Sequence, residues 1–198
     1  MNPEKALFIY LLLYFFIVFV LRTYLHWKRT GVNALTFTNS DDAHGYNGKL
    51  FTFISILEFA VVFIYAFVPN WYEYLLPFWY LEIHYLKVIG WCLLIISLIV
   101  VWLAQSQMRA SWRIGIDEIN DTQIVTTGFY ALTRNPIFLG VMIANMGIFL
   151  IIPNAFTLLI ISLSTVSINT QVRLEEEFLN RKHGVEYEKY RNAVRRWV

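Results

Sequence analysis

The sequence predicts an all-α integral membrane protein of about five transmembrane helices, with a C-terminal helical hairpin and then a cytoplasmic amphipathic helix. Composition is the first reason. Of 198 residues, 58% are apolar and only 15% charged, well below the roughly 25% charge of an average soluble domain. The second is a series of apolar runs near the ~20 residues that a helix needs to cross the hydrocarbon layer. The third is that basic residues gather in alternate loops, as they do on the cytoplasmic side of membrane proteins.

The first span is expected over residues 6–25. Its apolar run exceeds the usual signal-peptide core of about 7–15 residues and no small-x-small cleavage site follows, so it is expected to be retained. A polar loop from Trp27 to Asn47 leads to a second span at 50–68, which ends at Pro69-Asn70. The aromatic stretch Trp71 to Tyr80 suits a headgroup interface. The third span is expected over 86–104. After a polar loop at 105–127, two spans form the hairpin at about 137–172, turning at Pro153-Asn154.

Arg22, Lys28, Arg29 and Lys49 flank the first loop, Arg109, Arg113 and Arg134 the third, and more basic residues follow Arg173. The second loop and the hairpin turn carry none, which puts the N-terminus outside and the C-terminus in the cytoplasm. Residues 1–104 then form an N-terminal three-helix part, and 105–198 a part holding the hairpin and every suspicious polar motif. Either a prokaryotic cytoplasmic membrane or the endoplasmic reticulum suits such a chain. A net charge of +2, locally distributed, gives no footprint for nucleic acid. Cys92 is the only cysteine, and His26, His44, His84 and His183 lack the i, i+4 pairing of a helical metal site. No metal is expected.

Within the hairpin, Gly140, Ala144 and Gly147 lie on one helical face, a small-residue stripe for close packing against a neighbour. Asn145 and Asn169 are expected to hydrogen-bond between helices. Gly184 is expected to end the last hairpin helix, and the segment from Glu186 to Arg195, with Tyr187, Tyr190 and Trp197 nearby, to lie on the membrane. Glu58, inside the second span, is costly in hydrocarbon and is therefore a candidate substrate contact.

Two polar motifs bracket the hairpin. Before it stand Ile124-Val125-Thr126-Thr127-Gly128-Phe129-Tyr130 and Arg134-Asn135-Pro136-Ile137-Phe138-Leu139-Gly140; after it come Glu175-Glu176-Glu177 and the Gly184-x-x-Tyr187-x-x-Tyr190 tail. A hairpin that crosses and returns brings Arg134 and Glu175 to one membrane face. This ordered set resembles the isoprenylcysteine carboxyl methyltransferase family of integral membrane methyltransferases, over about residues 112–196. The resemblance implies an enzyme that binds S-adenosylmethionine on the cytoplasmic side and methylates the carboxylate of a prenylated cysteine, with the lipid tail entering from the bilayer. It carries cofactor contacts onto Thr122, Gln123, Ile124, Val125, Tyr130, Asn135 and Glu175. The arginine that holds the substrate carboxylate in the family falls on either Gln171 or Arg173. The family's Arg-His-Pro-x-Tyr pattern has Asn135 in place of its His and Phe138 in place of its Tyr.

The residue types suit that chemistry. Arg134 can fork onto the cofactor carboxylate, Glu175 can accept from its ammonium or a ribose hydroxyl, and Tyr130 and Val125 can flank the adenine. In-line methyl transfer draws on positioning, and a carboxylate acceptor, ionised near neutral pH, needs no general base. A lipid amine acceptor would need one, with Glu58 or Glu176 as candidates. Two other readings stand beside this one. A sterol-type reductase would use NADPH, with Arg191, Arg195 and Arg196 for its 2′-phosphate, and a non-catalytic lipid-binding protein would use the motifs only as helix caps.

Overall fold

The computed structural model describes residues 2–32, 42–112 and 123–198. Helix α1 covers Pro3–Thr30, α2 Ala43–Phe67, α3 His84–Met108, α4 Pro136–Ile151 and α5 Ala155–His183; α6, Val185–Ala193, follows the hairpin. Four of these, α1, α2, α3 and α5, are long and apolar enough to cross a membrane, while α4 is a shorter apolar helix. At helical rise its 16 residues reach roughly 24 Å, just short of a ~30 Å hydrocarbon layer.

The helices start earlier than hydropathy alone indicates, and α1 and α3 also end later. The expected loop from Trp27 to Asn47 shortens at both ends, since α1 continues to Thr30 and stops where Gly31 takes φ +71°, and α2 begins at Ala43. Asp42 caps α2, its side chain accepting the Gly45 N–H at 2.7 Å. Within α1, Phe16–Leu21 widens into a π-helical stretch. There the Val18 carbonyl accepts a hydrogen bond from the Gln105 amide at 3.1 Å, fastening α1 to α3. On the opposite side of the bundle, the hairpin turn is closed by Asn154 and Thr157, each side chain bonding the other's backbone N–H. The aromatic loop is tied to it, as Phe78 N–H donates to the Pro153 carbonyl at 2.8 Å. Trp71, Tyr74, Trp79 and Tyr80 are all exposed there, as an interfacial belt requires.

The small-residue stripe packs α4 against α3. A Cβ on Gly147 would meet the Gly90 carbonyl oxygen at 2.9 Å, and one on Gly90 would meet the Gly147 carbonyl at 2.7 Å, so the two backbones touch where side chains are absent. Ser97 completes the contact by donating to the Gly140 carbonyl at 2.8 Å. The expectation for Asn169 is corrected: its amide donates to Thr165 of its own helix at 2.8 Å. The cross-helix polar contact is made by Asn47 instead, which lies in what read as loop. It donates to the Ser167 carbonyl at 3.1 Å and to Gln171 Oε1 at 3.0 Å, and accepts from Ser167 Oγ at 2.7 Å.

Candidate functional site

A cavity of about 650 Å³ runs from the loop end of the bundle into its middle, within the ~300–1,000 Å³ of small-molecule sites. Its polar end is built by Gln123, Ile124, Val125 and Tyr130 from the loop before α4, by Asn135 and Arg134, by Gln171, Glu175 and Glu176 on α5, and by Tyr187 and Tyr190 on α6. Its deeper part is walled by Phe51, Phe59, Ile137, Phe138, Val141 and Ile148, with Tyr14, Glu58 and Asn145 among them. Phe15, Phe19 and Ile56 line it too while remaining exposed, so the cavity reaches the outer surface of the bundle between α1 and α2.

The loop before α4 takes its shape from Gly128 and Gln107. Gly128 holds φ +66°, and any Cβ there would run into the Gln107 side chain, which accepts the Phe129 N–H at 2.9 Å. This turn aims Tyr130 inward, 7% exposed, with its carbonyl taking the Tyr190 hydroxyl at 2.7 Å. Burial first, then the neighbouring Glu175 carboxylate and Tyr190, push the Tyr130 phenol well above its ordinary value. Tyr190 rises to about 12, again through burial with Tyr187 second. Both phenols therefore stay protonated and serve as hydrogen-bond donors near neutral pH.

Among the described residues, Glu175 is held by one bond, from Gln171 Nε2 at 2.9 Å. Gln171 in turn accepts from Asn47 and faces His44 Nδ1 at 3.4 Å. The carboxylate is thus oriented by a buried network from α2 and α5 while keeping acceptor capacity toward the cavity. Trp112 forms another wall, with the buried Arg22 guanidinium 5.4 Å from its ring centroid. Arg22 also donates to the Gln105 carbonyl.

Residues 85–186, more than half of the chain, match the phospholipid methyltransferase family. The chain belongs to that family. Phospholipid methyltransferases of this family are integral membrane enzymes related to the isoprenylcysteine carboxyl methyltransferases, so the resemblance seen in the motifs holds. This member is accordingly a multi-pass membrane methyltransferase acting on lipid-like substrates. No curated protein and no solved structure matches the chain.

Of the residues singled out in sequence, the phospholipid methyltransferase fold brings Gln123, Ile124, Val125, Tyr130, Arg134, Asn135, Gln171, Glu175 and Glu58 to the cavity. Thr122 lies outside the described residues. Of Gln171 and Arg173, Gln171 is 3% exposed and lines the cavity, whereas Arg173 is exposed and does not. Arg134 differs from its expected use. Its Nε and Nη2 donate to Glu176 Oε1 at 3.2 and 2.8 Å, and its Nη1 to the carbonyls of Arg191 and Val194 at 2.9 and 2.7 Å. Arg196 grips the same carboxylate, Nη2 to Oε2 at 2.6 Å. These bonds fold the C-terminal tail against the loop before α4 and leave little of the Arg134 fork for a ligand.

The tail also overturns the expected surface role of the last helix. Tyr187 is 1% exposed and both α6 tyrosines line the cavity, so its aromatic face meets the site. The Gly184-x-x-Tyr187-x-x-Tyr190 spacing carried that signal, since residues three apart share a helical face. Asn47, Trp112, Gln105 and Tyr14 were not found by sequence reasoning. Among the described residues, no group of three His, Cys, Asp or Glu side chains could hold a metal.

Proposed function

We propose that the polar end of the cavity binds S-adenosylmethionine and that a lipid-like acceptor enters the deeper part between α1 and α2. The observation that carries this is the continuity of one cavity from Glu175 and Tyr130 to apolar walls at the lipid-facing surface. The donor set suits the cofactor. Glu175 has an oxygen to offer its ammonium or a ribose hydroxyl, Val125 and Tyr130 flank the adenine, and Gln123, Ile124 and Asn135 close the walls, with Thr122 assigned beside them by the resemblance. When bound, this group supplies an electrophilic methyl on a sulfonium, and the chain's part is to hold the acceptor in line with it away from water. By the distribution of basic residues, this end faces the cytoplasm.

Two acceptors are supported by different observations. A lipid amine is favoured by the charges lining the cavity. Arg134 is engaged by Glu176 and the tail, Gln171 by Asn47 and Glu175, and Arg173 lies outside, so among the described residues that line the cavity none offers a free guanidinium to an acceptor carboxylate. The ammonium form gives up its proton to water and the amine then attacks through its lone pair, Glu175 being engaged by the cofactor and Glu176 by its two arginines. The prenylated-cysteine carboxylate implied by the resemblance is favoured by the loss of Glu176 as a base, because an ionised acceptor needs none. For the reductase reading, Arg196 is bound to Glu176, and Arg191 and Arg195 are exposed away from the cavity.

Titration of the detergent-purified protein with S-adenosylmethionine and with NADPH tests the donor. Saturable binding of the first alone is expected, lost in Glu175→Ala while the helical fold persists; binding of NADPH alone contradicts the proposal. The acceptor is then read from the product. Methyl label released as methanol by mild base marks an ester, and base-stable label marks an N-methyl group.

A further inference from the structure

We infer that the deep end of the cavity is a second polar subsite, built to receive a hydrogen-bonding group on the acceptor's tail. The inference rests on the proposed entry of a lipid-like acceptor into this cavity and adds that its tail is not plain hydrocarbon.

Register places the subsite. Helices α2 and α4 run in the same direction, and Phe51 stacks on Phe138 with centroids 6.3 Å apart. Seven residues beyond Phe51 stands Glu58, and seven beyond Phe138 stands Asn145. Seven residues are two helical turns, so both side chains return to the face of the aromatic pair at one common depth, about 10 Å further into the bundle. Both line the cavity, with Ser55 and Tyr14 beside them.

The expected explanation for such groups, a bond between helices, does not hold here. No hydrogen bond from the described residues reaches the side chain of Glu58, Asn145 or Ser55, and Glu58 feels only the nearby Tyr10 and Tyr14 phenols through space. Of their neighbours, Tyr10 donates to the Leu94 carbonyl at 2.7 Å and Ser97 to the Gly140 carbonyl, while Tyr14, whose hydroxyl accepts from Ser97 at 3.4 Å, keeps its own O–H as a further group of the subsite. A carboxyl and an amide turned toward an apolar tail would face hydrocarbon with no partner, which is costly at this depth. A hydroxyl or amine on the tail satisfies them, with Glu58 accepting and Asn145 able to donate or accept.

Methyl oleate and methyl ricinoleate differ by one hydroxyl part-way along the same unsaturated chain, and each is titrated against the full-length protein in detergent by tryptophan fluorescence. The preference of the wild type for methyl ricinoleate is expected to exceed that of Glu58→Leu on the order of tenfold, one charge-assisted hydrogen bond. Asn145→Leu is expected to lower it in the same direction and keeps the test open if Glu58→Leu does not fold. A preference that is the same in the wild type and either folded variant overturns the inference. S-adenosylmethionine binding, measured on the same samples, reports on the cofactor proposal separately, so that reading can fail while the hydroxyl preference stands, or the reverse.

Discussion

The two ends of the cavity handle polarity in opposite ways. At the loop end the chain supplies its own partners: Glu176 is gripped by Arg134 and Arg196, and Gln171 is held by Asn47 and Glu175. In the middle of the bundle Glu58 and Asn145 face the cavity with no hydrogen-bond or ion-pair partner among the described residues. The first arrangement is a preorganised frame, which holds its shape before any ligand arrives. The second is a demand placed on the ligand. The family match cuts across that division, since residues 85–186 contain Glu175, the Tyr130 loop and Asn145 but not Asn47, Glu58, Tyr187 or Tyr190.

The largest effect that would break this contrast is on the frame. Glu176→Ala leaves Arg134 and Arg196 facing each other without a carboxylate at a site where the Glu176 side chain is 11% exposed. About 3 kcal/mol of stability should be lost, read as a lower Tm in detergent together with protease sensitivity at the C-terminal tail. Next is the helix contact that keeps both ends in register. Gly147→Leu would push α4 off the Gly90 backbone and should cost about 2 kcal/mol by overpacking; an unchanged Tm would show that the close approach is not needed.

Smaller effects sharpen the difference between frame and ligand contact. Glu175→Gln retains an acceptor for Gln171 but removes the charge, and should weaken S-adenosylmethionine binding roughly tenfold to a hundredfold without moving Tm. Asn47→Ala should lower stability by about 1 kcal/mol and weaken the cofactor through a misoriented Glu175, a combination that distinguishes positioning from direct contact. Arg173→Ala should change stability by less than about 0.5 kcal/mol and leave methyl transfer intact. A large activity loss there would return the substrate role to Arg173.

The spans, the hairpin and its turn were legible because hydropathy and Pro153-Asn154 are local signals. Gly140, Ala144 and Gly147 were equally plain, as one helix's periodicity contains the whole pattern. Arg134 was recognised as important but not for what it does, because its partners at Glu176, Arg191 and Val194 are gathered by the return of the hairpin and the tail, far away in sequence. Asn47 was hidden for the same reason, its bonds to Ser167 and Gln171 crossing more than a hundred residues. Tyr187 and Tyr190 show another limit. An amphipathic helix reveals that one face avoids water, and sequence does not say whether lipid or a cavity covers it. The π-helical stretch Phe16–Leu21 left no mark in composition, since it is defined by backbone bonding and by Val18 meeting Gln105.

The central claim is that one continuous cavity moves a methyl group from a cofactor at Glu175 to a lipid-like acceptor drawn from the bilayer. The most direct measurement incubates the purified protein with methyl-labelled S-adenosylmethionine and a membrane lipid extract, then follows label into the organic phase. Label should appear there with the wild type and fall to background with folded Glu175→Gln. Label that stays in the aqueous phase, or transfer that is equally fast in the variant, would contradict the account.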